Sequence, residues 1–140
     1  MSHLDNKLDA FSLKTPAIFD ASVFKDSRGR VEHFGYLTLE QTKRMYFIEN
    51  SDTGLLRGWH GHKLEHKAFL CISGEVKIRS IQVEDWDQPE PTSPVQCWTL
   101  ASESKQLLVI PGGYANAIES VRPGSIVLVQ SNRSFEESLA

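Results

Sequence analysis

The chain has few of the residues that would place it outside the cell, in a bilayer or on nucleic acid. Cys71 and Cys97 are its only two cysteines in 140 residues, far apart and each inside an apolar stretch. That scarcity excludes a disulfide-built scaffold and predicts buried free thiols in a reducing compartment. No apolar run approaches the ~20 residues that a helix needs to cross a bilayer. The polar segment from Met1 to Lys14 lacks the apolar centre of a signal peptide. A formal net charge of -3 supplies no concentrated basic face for nucleic acid. The expectation is a cytoplasmic protein with neither nucleic acid nor membrane as partner. A local basic pocket for a small phosphorylated ligand stays compatible with that balance.

Also missing are a helix of ordinary length, an internal repeat, a phosphate loop of the G-x-x-x-x-G-K type, and any serine or cysteine in a nucleophile motif. What recurs instead is short apolar runs of about four to eight residues between turn signals, the pattern of an all-β sandwich or barrel. The candidate strands are Ala17–Phe24, Arg30–Tyr36, Arg44–Glu49, Leu55–His60, Lys67–Ile72, Glu75–Gln82, Val95–Leu100, Gln106–Ile110, Asn116–Ser120 and Ser125–Gln130. Turn-forming residues fill 26–29, 50–54, 73–74 and 111–113. Leu39–Lys43 and Ser102–Lys105 could each be one helical turn. The acidic, proline-rich stretch from Asp85 to Pro94 is the longest loop and too short to link domains. One β domain over residues 1–140 is expected, with 1–15 as a polar extension.

Two runs carry chemistry. Gly54-Leu-Leu-Arg-Gly-Trp-His-Gly-His62 has the form G-x5-H-x-H, and Pro111-Gly-Gly-Tyr-Ala-Asn116 has the form P-x-G-x-x-N. Side chains alternate along a strand, so His60 and His62 share a face. Arg57 falls on the opposite face unless the strand bends at Gly58. A transition metal usually takes three or four ligands. His60, His62 and His66 could supply them, but Asn116, the polar residue closing the second run, offers only an amide, a poor ligand. The metal-free reading is preferred. Paired imidazoles suit acid-base work near working pH, with Tyr46 or Tyr114 as a partner acid. Arg28, Arg30, Arg57 and Lys67 are candidates to hold a diphosphate.

Together the two runs resemble the paired signature motifs of the cupin barrel, with Asn116 replacing a histidine. From about Ile18 to Glu137 the chain resembles the cupin-type sugar-nucleotide enzymes: dTDP-4-dehydrorhamnose 3,5-epimerases and dTDP-sugar 3,4-ketoisomerases. Phe24-Lys-Asp-Ser-Arg-Gly-Arg30 is similar to the epimerases' D-x-R-G turn, and Ile48-Glu-Asn-Ser51 to their Q-x-N-x-S stretch. Lys43-Arg-Met-Tyr-Phe-Ile48, Arg57-Gly-Trp-His-Gly-His-Lys63 and Val127-Leu-Val-Gln-Ser131 resemble ketoisomerase runs, the second with both histidines. Two epimerase features are absent: the motif histidine, replaced by Asn116, and the late catalytic tyrosine, since Asn132-Arg-Ser-Phe-Glu136 offers none.

The resemblance implies a double-stranded β-helix (jelly-roll) fold, a homodimer, and a dTDP-linked substrate in deoxysugar or polysaccharide biosynthesis. It implies catalysis by His60 and His62 with Tyr46 assisting, substrate contacts from Arg28, Arg57, Lys67, Glu49, Asn116 and Tyr114, and no cofactor or metal. The leading expectation is 3,4-ketoisomerisation of a 4-keto-6-deoxyhexose. A 3,5-epimerase and a non-catalytic sugar-nucleotide-binding cupin are the alternatives.

Overall fold

A computed structural model describes residues 7–87 and 94–139. Its strands are β1 (Leu8–Asp9), β2 (Ala17–Asp20), β3 (Ser22–Asp26), β4 (Gly29–His33), β5 (Leu37–Thr38), β6 (Arg44–Ile48), β7 (Leu56–His62), β8 (Lys67–Ser73), β9 (Glu75–Gln82), β10 (Gln96–Ala101), β11 (Gln106–Ile110), β12 (Tyr114–Ser120) and β13 (Ile126–Ser131). One short helix, α1 (Phe135–Leu139), follows. The all-β expectation holds.

Two antiparallel sheets carry the fold: β2-β11-β8-β13-β6 and β10-β9-β12-β7. Alternation supplies the core between them. Phe69, Leu108, Val127 and Val129 from the first sheet meet Val76, Ile78, Leu100 and Ile118 from the second. Each such burial contributes about 1.5–3 kcal/mol.

The first sheet is covered on its other face too. Ala68, Leu107 and Val109 pack there against Ala10, Phe11 and Leu37, which explains why residues 107–110 form a continuous apolar run rather than an alternating one. Part of the polar N-terminal segment therefore does structural work. Asp9 Oδ1 accepts from Phe11 N at 3.1 Å, starting a single 3-10 turn over Ala10–Ser12.

Several local expectations change. The run Ala17–Phe24 divides at Ala21, because β2 joins β11 while β3 pairs only with β4. That hairpin exposes Val23, Phe24 and Val31. Leu39–Lys43 and Ser102–Lys105 are hydrogen-bonded turns, not helices. Cys97 is free but exposed, because β10 is an edge strand, whereas Cys71 is free and buried. The loop after Asp85 lies partly outside the described residues. Ser134 and Glu137 cap α1 reciprocally, Glu137 N donating to Ser134 Oγ at 3.1 Å and Ser134 N to Glu137 Oε1 at 2.9 Å, the S-x-x-E capping box. No described helix is long and apolar enough to cross a membrane.

Candidate active site

β6 and β7 are the edge strands of their respective sheets, and a cleft of ≈ 660 Å³ opens between them. The local shape of β7 decides what faces it. Asn116 pairs with His60 and Ile118 with Arg57, so Gly58 and Trp59 together oppose Ala117 alone. This β-bulge resets the alternation, and Arg57 joins His60 and His62 in lining the cleft. Gly58 is required there: a Cβ would stand 2.5 Å from the Ala117 Cβ. The bend that would bring Arg57 to the histidine face is present.

Of the residues expected at the site, His60, His62, Tyr46, Arg57, Lys67, Glu49 and Asn116 line this one cleft. Two expected contacts lie elsewhere. Arg28 is at the β3–β4 turn in a separate hollow, its guanidinium 2.6 Å from Asp26. Tyr114 packs against the core between the sheets. His66 also points away: its Nδ1 accepts from Gly112 N at 3.3 Å and its ring lies 6.4 Å from that of Phe11. Among the described residues no three His, Cys, Asp or Glu side chains gather as a metal site.

The cleft is electropositive. Burial pushes His60 below the ordinary histidine range, and the charges of Lys67 and Arg57 push the same way. Burial also lowers His62, assisted by Lys67, His60 and Arg44 and opposed by Glu65. Lys67, buried on β8, is itself lowered by burial and by Arg44, against the pull of Glu65. Burial raises Tyr46, whose ring lies 4.6 Å beneath the Arg44 guanidinium carbon. Neutral imidazoles beside fixed cations can accept a proton and stabilise the anion left behind.

Sequence reasoning missed the side chains that hold this arrangement. Glu65 is buried with its Oε2 3.1 Å from Arg44 Nη2 and 2.7 Å from Ser131 Oγ. It follows His62 by three residues in the loop before β8, where strand patterns give no signal. Asn50 is buried behind Arg57, accepting from its Nε at 3.0 Å while donating to the carbonyls of Ile118 and Leu55. Only its place in the Ile48–Ser51 run hinted at it. Phe135, from α1, adds an aromatic wall to the cleft.

The family described as FdtA: WxcM-like, C-terminal matches residues 14–138 of this chain. Among curated proteins none matches by sequence. Among solved structures, QdtA, a sugar 3,4-ketoisomerase from Thermoanaerobacterium thermosaccharolyticum in complex with TDP, is 22% identical with a TM-score of 0.67, over 90% of this chain and 86% of that one. The WlaRB TDP-quinovose 3,4-ketoisomerase from Campylobacter jejuni is 20% identical with a TM-score of 0.69, over 88% of each chain. The rmlC epimerase of Mycobacterium tuberculosis is 19% identical with a TM-score of 0.70, over 86% of this chain and 64% of that one. The chain therefore spans less than two thirds of that epimerase.

Proposed function

Because the chain belongs to the FdtA family, WxcM-like C-terminal, we propose that it is a sugar-nucleotide isomerase, and that its reaction is 3,4-ketoisomerisation of a dTDP-linked 4-keto-6-deoxyhexose. The observation that carries this reading is His60 and His62 in one cleft with Arg57 and Lys67. His60 takes the proton from C3, alpha to the ketone. The electron pair becomes the C3–C4 double bond of an enediolate, whose O4 charge Lys67 and Arg57 stabilise. His62 or Tyr46 returns a proton to C4 as the C3 hydroxyl passes its own proton to O4, leaving the ketone at C3 and a hydroxyl at C4. Hydrogen only changes place, so the step needs no redox group. Glu49 and Asn116 take sugar hydroxyls.

The 3,5-epimerase reading is weaker, since that reaction needs an acid on the face opposite the base. The segment after β13 brings Phe135 to the cleft, where epimerases carry a tyrosine. The two sheets are read as walls of a cupin barrel, and the protein as a cytoplasmic homodimer. The exposed Val23, Phe24 and Val31 of the β3–β4 hairpin support the dimer, because a second copy would bury them. Arg28, at that hairpin's turn and outside this chain's cleft, would meet a substrate through such pairing.

The test is proton NMR of the protein with dTDP-4-keto-6-deoxyglucose in deuterium oxide. Exchange at C3 and C4 with a new 3-keto product is expected, and none with His60→Ala. Exchange at C3 and C5 would establish the epimerase instead. An unchanged spectrum beside positive saturation transfer would leave a binding protein.

A further inference from the structure

Glu65 has no part in the reaction as written, yet it is the most deeply buried carboxylate near the cleft, its side chain 1% exposed. Its two oxygens are treated differently. Oε2 is fixed from two strands, by Arg44 of β6 at 3.1 Å and Ser131 of β13 at 2.7 Å, with Lys67 of β8 at 3.9 Å. Oε1 has no hydrogen-bond partner, and it lies 3.6 Å from His62 Nε2. An unpaired buried carboxylate oxygen costs about 1–3 kcal/mol or more. Here the cost is met by aiming it at an imidazole. Such contacts are often long in an empty site and tighten once substrate binds.

We propose that Glu65 is a positioning residue for proton transfer: its Oε1 accepts the Nε2 proton of His62, fixing ring and tautomer so that Nδ1 carries the moving proton and His62, not Tyr46, is the donor of the pair. This rests on the isomerase reading of the cleft. The charges facing His62 otherwise oppose a protonated ring. Lys67, Arg44 and His60 all disfavour it, and Lys63, Arg133 and Glu137 line the shallow hollow on its far side. Glu65 favours it and is the carboxylate beside the ring itself, while Glu49 lines the cleft and Glu137 the hollow. His60 has only the cations Lys67 and Arg57 as charged influences, so it stays the base. Imidazolium His62 gives its Nδ1 proton to carbon and becomes the neutral Nε2–H form; His60 then releases the C3 proton to solvent and His62 Nδ1 takes one up, which restores both rings.

Long-range proton–nitrogen NMR of the labelled protein without substrate tests this directly. Neutral His62 should be the Nε2–H tautomer in the wild type, which requires no variant to fold; an Nδ1–H tautomer would overturn the proposal. In Glu65→Gln, the His62 titration midpoint should drop by about one pH unit or more while that of His60 moves less. An unmoved midpoint in the folded variant would equally overturn it. Deuterium incorporation into substrate should fall about 100-fold with KM unchanged. If no nucleotide sugar exchanges at all, the isomerase reading fails while the ring measurements still decide the role of Glu65.

Discussion

Replacing Gly58 by alanine tests whether the bulge builds the site. The added Cβ would stand 2.5 Å from the Ala117 Cβ, 2.8 Å from the Ala117 Cα and 3.1 Å from the Asn116 carbonyl oxygen. Carbon atoms at rest keep about 3.5–4.0 Å apart. β7 and β12 must therefore part by about 1 Å beside the point where Asn116 faces His60. Overpacking of this kind costs about 1–3 kcal/mol, and the upper half applies because two of the obstacles are backbone. A displacement of about 1 Å between Arg57 and His60 would slow exchange by about 100-fold. Urea unfolding of Gly58→Ala, Ala117→Gly and the double variant measures the clash. Ala117→Gly alone should cost about 1 kcal/mol as a strand glycine, yet it removes the nearest obstacle. The double variant should then be at least about 0.5 kcal/mol more stable than the two costs added. Strict additivity, or Gly58→Ala within about 0.5 kcal/mol of wild type, would refute the reasoning.

Asn50→Ala should cost about 1–3 kcal/mol in urea unfolding, because it strands the buried Ile118 carbonyl; it should also raise KM by freeing Arg57. A loss of stability with KM unchanged would remove Arg57 from binding. Stability should also fall as pH drops from 7.5 to 5.5. His60, His62 and His66 all sit below the ordinary histidine range when folded, so the unfolded chain takes up protons first from about pH 6.5 downward. Their contribution is intact above that pH and is lost as pH falls through the folded values. Glu103 and Glu137, each held at about 2 by hydrogen bonds, lose theirs only in a more acid window. A urea midpoint that is flat or rises between pH 7.5 and 5.5 would contradict this.

How much of this was legible in the sequence depended on whether a feature repeats with the strand period. β9 alternates half-buried and buried from Glu75 to Ser80, and its boundaries follow from the pattern. His60 and His62 share a face for the same reason. Arg57 does not obey the period, since a bulge is a local exception set by close approach at Gly58, and a glycine alone does not say whether its strand bends. Glu65, Asn50 and Phe135 lie in loops or a short helix and reach the site through contacts distant in sequence, such as Glu65 to Ser131. Such pairings follow from sheet order, which no single segment encodes. Cys97 was misread because an apolar stretch on an edge strand looks like one in the core.

The net charge of -3 gave no hint of the cleft's field, and the reason lies in how charge is spent. Outside the cleft, opposite charges are largely matched: Arg122 with Glu75 and Glu103, Arg79 with Glu119, Lys43 with Glu137. Inside it, Arg44, Arg57 and Lys67 face Glu49, with Glu65 buried behind. Burial strengthens that excess, because charges interact more strongly where water is scarce. One field then serves two ends: it attracts an anionic substrate and holds an enediolate, and it keeps the imidazoles neutral enough to act as bases. Carried further, the same field would leave no imidazole able to give a proton back. A lone carboxylate beside one histidine of the pair removes that conflict, and Glu65 lies beside His62 rather than His60.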